Sequence, residues 1–122
     1  MKPIKFRAFW PGVNKMRYFT KAEITVDSRK RWGLFFATDE GSVFMGNAKV
    51  MNFINLKDRT GRDIYEGDIL KFKTGIAVVI WWNYMWAVES PGSEAIDEID
   101  LKEWNSSLII GNKFENSELL EL

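Results

Sequence analysis

The sequence predicts a mainly β protein, with an N-terminal lobe of β-hairpins over residues 1–56 and a small barrel over residues 57–122. Three observations predict it. Aromatic residues make up 15% of the chain, with six tryptophans, and aromatic and β-branched side chains favour pleated, half-buried surfaces. Apolar residues alternate with polar ones at a period of two in several separate segments. Clusters of Gly, Asn, Asp and Pro divide those segments at short intervals, as turns between strands do.

Taken in order, Ile4, Phe6, Ala8 and Trp10 alternate with Lys5, Arg7 and Phe9, which predicts a first strand with one apolar face. Pro11-Gly12-Val13-Asn14-Lys15 supplies turn formers, and Met16, Tyr18 and Thr20 alternate with Arg17 and Phe19 on the way back, completing a hairpin. The polar connection Asp27-Ser28-Arg29-Lys30-Arg31 leads into residues 32–38, a turn at Asp39-Glu40-Gly41-Ser42 and a return through Val43, Phe44 and Met45, a second hairpin. Val50, Asn52 and Ile54 alternate with Met51, Phe53 and Asn55, a pattern that suits a further strand but also admits a short helix.

Lys57-Asp58-Arg59-Thr60-Gly61-Arg62-Asp63 is the most polar stretch and is read as a boundary between lobes, or as a loop of one compact unit. Beyond it, Gly67 can turn the chain before a strand from Ile69 to Lys73, and Thr74-Gly75 turns it again into residues 76–82. After Asn83 the segment Met85 to Glu89 returns. Three short strands joined by tight turns predict the barrel. Ile96, Ile99 and Leu101 among acidic residues are spaced as a short helix over 94–104. Leu108, Ile109 and Ile110 resume strand character, and Asn116 is placed to cap a last helical turn over 117–121.

Several chemistries are absent from the composition. With neither cysteine nor histidine, the chain has no disulfides, thiol nucleophiles, imidazole acid–base groups or His/Cys metal ligands. Any catalysis would rest on carboxylates, Lys, Tyr or hydroxyls. The first residues carry charges where a signal peptide needs an apolar core, and the longest apolar run, residues 76–82, falls well short of the roughly 20 residues that span a bilayer. A cytoplasmic protein is expected.

The formal net charge is zero, yet residues 1–62 hold 13 Lys/Arg against 5 Asp/Glu and residues 63–122 hold 4 against 12. The halves are therefore +8 and −8. Such segregation is compensated once strands interleave, or it supplies complementary faces for self-association.

Three motifs carry a family resemblance: Ile4-Lys5-Phe6-Arg7-Ala8; Leu56-Lys57-Asp58 through Gly61 to Ile64-Tyr65-Glu66-Gly67-Asp68-Ile69; and Ile109-Ile110-Gly111-Asn112 with Glu115-Asn116 and Glu118-Leu119-Leu120. In this order and spacing they resemble the YopX-like proteins of bacteriophages and prophages. The resemblance implies an SH3-type barrel in the second half and a phage origin, and it implies no agreed activity or catalytic residue. Asn55 stands where the family usually has glycine, Phe9-Trp10 where an acid usually follows the aromatic, and Ser117 where proline is common. Physically, Gly61 and Gly67 permit backbone turns, Asp58 can bond its own downstream amides, Glu66 and Asp68 belong to the tight turn at Gly67, Tyr65 and Ile69 supply core area, and Gly111-Asn112 reads as an interruption of the last strand.

Three features could carry function. Trp82, Tyr84 and Trp86, beside Trp81, surround a predicted hairpin bend and would either be core or offer rings to a peptide, a subunit or stacked bases. Arg29, Arg31 and Trp32, with Arg59 and Arg62, could meet phosphates, although the pI near 6.3 lacks the basic footprint of a nucleic-acid domain. Asp58, Asp63, Glu66 and Asp68 are oxygen donors, but their spacing matches no EF-hand loop, and no metal or cofactor is expected. The reading is a non-enzymatic phage accessory protein acting through protein contacts, a homo-oligomer included. The alternatives are a nucleic-acid module and, last, a metal-assisted hydrolase.

Overall fold

The computed structural model describes residues 5–19, 22–26, 32–38, 41–44, 46–92 and 95–121, with the three strands between 22 and 44 described as backbone. It is mainly β. The chain divides into two compact units, Met1–Asn52 and Phe53–Leu122.

In the first unit, β1 (Phe6–Trp10) and β2 (Lys15–Phe19) form the predicted hairpin, in register from Phe6 opposite Phe19 to Trp10 opposite Lys15, but β1 is buried on both faces, Arg7 and Phe9 as well as Phe6 and Ala8, and on β2 Phe19 is buried while Tyr18 is exposed. The turn between them places Asn14 at φ 51°, a conformation that asparagine tolerates better than most residues. β3 (Ala22–Val26), β4 (Trp32–Thr38) and β5 (Gly41–Phe44) make a three-stranded antiparallel meander. β6 (Lys49–Lys57) is a strand throughout, and its first residues pair with β1, from Phe6 opposite Asn52 to Phe9 opposite Lys49. Phe6, Ala8 and Phe19 form one buried cluster of this unit, with Trp10 and Ala48 against them, and Phe9 and Met51 are buried as well. The Phe6 and Phe19 rings stack at 5.5 Å, and Trp10 meets Phe19 edge-on at 6.2 Å. Such pairings add to area burial because ring edges and faces carry opposite partial charge.

The second unit begins with the rest of β6, whose residues Phe53 and Lys57 pair with Tyr65 and Asp63 of β7 (Asp63–Tyr65), a short strand that the sequence patterns do not reveal. β8 (Asp68–Phe72), β9 (Gly75–Trp82), β10 (Met85–Glu89) and β11 (Ile96–Asp97) follow as an antiparallel meander. A one-turn-and-a-half helix, α1 (Leu101–Ser106), then returns the chain so that β12 (Leu108–Asn112) lies beside β8. The sheet order β11-β10-β9-β8-β12 is that of an SH3-type barrel, with a meander of four strands and the fifth strand carried back to the first. A 3-10 turn, Ser117–Leu120, closes the described chain.

Helix α1 occupies only the end of the predicted 94–104 stretch because local hydrogen bonding decides where it starts. Asp100 is its N-cap and accepts from the Glu103 amide at 2.8 Å, whereas Ile96 and Asp97 pair with Glu89 and Val88. Trp104 is its buried residue, packing with Ile54, Ile64, Leu70, Ala77, Val79, Val88 and Ile109 in the barrel core. Among the described residues no helix is long and apolar enough to cross a membrane.

Candidate functional site

The family signature folds into one hydrogen-bonded corner. The Asp58 carboxylate is buried, and its Oδ1 accepts from the Thr60 amide at 2.9 Å, the Thr60 hydroxyl at 2.7 Å and the Arg62 amide at 3.0 Å. Its Oδ2 accepts from the Ile109 amide at 3.0 Å, so the polar loop is tied to β12 across 51 residues of sequence. The backbone reinforces this link, because the Arg59 amide donates to the Ser107 carbonyl at 2.9 Å. Burial pushes the Asp58 carboxyl up, but the hydrogen bonds from Ile109, Thr60 and Arg62 together outweigh it and hold the group below its ordinary value.

The rest of the signature is used in the same way. Gly61 and Gly67 adopt φ 88° and 87°, where a Cβ is disfavoured, and Glu66 shares the turn with Gly67 between β7 and β8. Gly67 donates to the Val79 carbonyl and accepts from the Lys113 amide, both at 2.9 Å. The buried Asp68 Oδ2 accepts from the Tyr65 amide at 2.8 Å, and the Tyr65 ring lies against Phe53 at 5.6 Å. Asn112 Oδ1 accepts from the backbone amides of Phe114 and Glu115, and the Asn112 backbone N–H donates to Asn116 Oδ1 at 3.1 Å. Asn116 thereby serves β12 and makes no side-chain cap on the 3-10 turn. A Cβ on Gly111 would sit 2.6 Å from that same Asn116 oxygen.

The carboxylates weighed as metal ligands are therefore occupied separately. Asp58 and Asp68 accept backbone amides, Asp63 lies 3.3 Å from Lys57 Nζ, and among the described residues no three acidic side chains are grouped as a cation site.

Arg29 and Arg31 lie outside the described residues, and Trp32 opens β4, described there as backbone. Arg59 and Arg62 are exposed on the Asp58 loop. Arg59 lines a groove of about 1030 Å³ together with Lys71, Lys73 and Lys102, but Asp97, Glu98, Asp100 and Glu103 line it too. Four cations are thus balanced by four carboxylates, which is not the one-sign field that gathers phosphates. No aromatic residue of the 81–86 group lines this groove.

That group forms the end of the β9–β10 hairpin instead. The two-residue turn is Asn83-Tyr84, with φ of 49° and 65°, as a type I′ turn requires. Trp81 opposes Trp86 and meets it edge-on at 4.8 Å, and Trp86 is half-buried against the barrel core. The others face outward: Trp81 is 52% exposed, Trp82 49%, Tyr84 89% and Met85 40%. Trp82 and Tyr84 are the exposed residues the sequence singles out, Trp86 is mainly a packing residue, and of the other two Met85 shares the face of Trp82 while Trp81 is on the opposite face with Trp86. Their exposure has no signal in the sequence, because residues 76–82 are one apolar run and Ala77, Val78 and Val79 are buried in succession, so no alternation marks where burial ends.

The YopX family, described as YopX protein, matches residues 5–121. The chain belongs to the YopX family. Among solved structures, the crystal structure of protein yopX from Bacillus subtilis is similar at TM-score 0.62 and 21% identity, over 100% of this chain and 98% of that one. Protein EF1440 from Enterococcus faecalis is similar at TM-score 0.62 and 23% identity, over 97% of this chain and 98% of that one. No curated protein matches the chain. Identities at this level carry the fold, and YopX membership assigns no activity. Asn55 has φ 65°, a conformation that glycine adopts without strain, where the pairing of β6 with β7 shifts register between Phe53 and Lys57.

Proposed function

We propose that this YopX protein is a phage or prophage accessory protein of the bacterial cytoplasm that acts by protein contact, with the end of the β9–β10 hairpin as its contact surface. The observation that carries the proposal is the grouping of Trp81, Trp82, Tyr84 and Met85 at one solvent-facing hairpin end. Monomeric proteins seldom group large apolar side chains in this way outside an interaction site, and tryptophan and tyrosine are enriched at interface hot spots. Tyr84 adds a second indication. A bulky residue at positive φ is disfavoured by roughly 1–2 kcal/mol, and a ring that is 89% exposed recovers little of that cost within its own chain.

Charge favours a protein over a nucleic acid as partner. Residues 74–88 contain no Asp, Glu, Lys or Arg, the longest such stretch in the sequence, so the hairpin itself brings no cation to a phosphate. Phage origin rests on the family resemblance, and the bacterial setting agrees with the two solved relatives.

The test is site-specific photocrosslinking in producing cells, with p-benzoylphenylalanine replacing Tyr84 or, as a control, the exposed Glu118 of the 3-10 turn. A protein adduct from position 84 and none from position 118 is expected. Adducts with nucleic acid alone, or none from position 84, would end this reading.

A further inference from the structure

We infer that the groove between the β8–β9 turn and helix α1 is a second binding site, which takes an extended segment of a partner protein carrying both acidic and basic side chains. No aromatic residue of the hairpin end lines this groove, so the site is independent of the contact surface above. Its charges are sorted by origin. Arg59, Lys71 and Lys73 come from the Asp58 loop and from β8 with its turn. These lie together at β12, because the Arg59 amide donates to the Ser107 carbonyl and Leu108 pairs with Lys71. Asp97, Glu98, Asp100 and Glu103 come from β11, α1 and the loop between them, with Lys102 in their midst.

One side thus carries three cations, and the other four carboxylates and one cation, which makes +3 against −3. In the sheet order β11-β10-β9-β8-β12 the two sets belong to opposite ends, and the curl of the barrel brings both to one groove. They do not neutralise each other there. All eight groups are exposed, and none forms an ion pair among the described residues, although Asp100 gives one oxygen to the α1 cap. An occupant of one sign is attracted by one side and repelled by the other. A segment with both signs, in matching order, is attracted by both.

Size and backbone set the form of that occupant. A volume of about 1030 Å³ lies at the top of the range of small-molecule clefts, roughly 300–1,000 Å³, and leaves room for a length of chain. Phe72, Ile76, Ile99 and Leu108, each half-buried, give it an apolar lining. β10 pairs with β9 no further than Glu89 opposite Val78, so residues 75–77 have no strand neighbour on that side among the described residues. Hydrogen-bonded pairs alternate along the ladder from Trp82 and Met85, so the N–H and C=O of Ile76 point toward the same side as those of Val78. Continued in register, β10 would place Pro91 opposite Ile76, and proline has no N–H to give. An extended chain in the groove can answer both groups by strand addition.

Fluorescence polarisation tests the inference, with the full chain titrated into fluorescein-labelled decapeptides on a Val/Thr background. The set holds peptides with two Glu and two Lys in every order, peptides with four Glu, and peptides with four Lys. A mixed-charge peptide should bind at least about tenfold more tightly than any single-sign one. That preference should shrink between about 0.1 M and 1 M salt, as screening contracts from roughly 10 Å to 3 Å. The double variant Lys71→Glu with Lys73→Glu reverses two exposed charges of the basic side. It should lose the mixed peptides and gain the four-Lys ones, an exchange that misfolding cannot produce. In NMR spectra of the wild type, the Ile76 amide should shift on saturation with the mixed peptide. Binding by no member of the set, tighter binding of four-Glu peptides or single-stranded DNA, or a preference unmoved by the double variant would overturn the inference. Each of these outcomes leaves the crosslink from position 84 to report on the hairpin end separately.

Discussion

Replacing Asp58 by asparagine tests whether the family signature is a structural tie. The carboxylate serves donors on both oxygens: three contacts from Thr60 and Arg62 on Oδ1, and the Ile109 amide on Oδ2. An asparagine can keep one carbonyl oxygen, and the arrangement that loses least points it at the loop. Its NH₂ then confronts the Ile109 N–H, two donors face each other, and a buried amide is left unsatisfied at about 1–3 kcal/mol. The three loop contacts survive as neutral hydrogen bonds at about half their former strength. The sum is a loss of roughly 2–4 kcal/mol, several-fold the effect of an ordinary surface substitution. Urea unfolding followed by tryptophan fluorescence measures it. Because the carboxyl's folded pKa lies below its ordinary 3.8, its contribution is fully present above that value and is lost as pH falls through the folded pKa. Wild type should therefore lose stability below about pH 4 more steeply than Asp58→Asn does. A variant within about 0.5 kcal/mol of wild type at neutral pH, or one with an unchanged acid limb, would refute the reasoning.

Three further substitutions test the packing. Trp104→Ala removes the buried side chain that α1 contributes to the barrel core and should cost about 3–5 kcal/mol in urea unfolding, against little for the exposed neighbour Asn105→Ala. Gly111→Ala puts a methyl group 2.6 Å from Asn116 Oδ1, displacing the acceptor of the Asn112 amide, and should lower stability by about 1–3 kcal/mol. Asn55→Gly relieves a residue at φ 65° and should leave stability unchanged or raise it by up to about 1 kcal/mol, read as a shift in melting temperature.

What could be read locally was largely a matter of backbone sterics. Alternation along Phe6, Ala8 and Trp10 determined a strand because side chains point to opposite faces at every second residue, whatever lies opposite. Gly61 and Gly67 could be assigned to corners because positive φ favours a residue without Cβ, and the missing His and Cys bounded the chemistry before any fold was known. The YopX resemblance rested on three residue motifs taken with their order and spacing.

Tertiary structure decided what depends on segments far apart. That Asp58 bonds Ile109 follows from β12 returning to β8, and no spacing in the sequence encodes it. Helix α1 begins later than the predicted span, at Leu101, because Ile96 and Asp97 found partners on β10, and it runs two residues past the span's end. The four aromatic residues between 81 and 86 have nearly the same hydrophobicity, yet Trp86 lies against the core while Trp82 and Tyr84 meet solvent. Hydrophobicity sets how strongly a ring prefers burial, but the number of neighbours that reach it is a sum over the whole barrel, and at a hairpin's end that sum runs out.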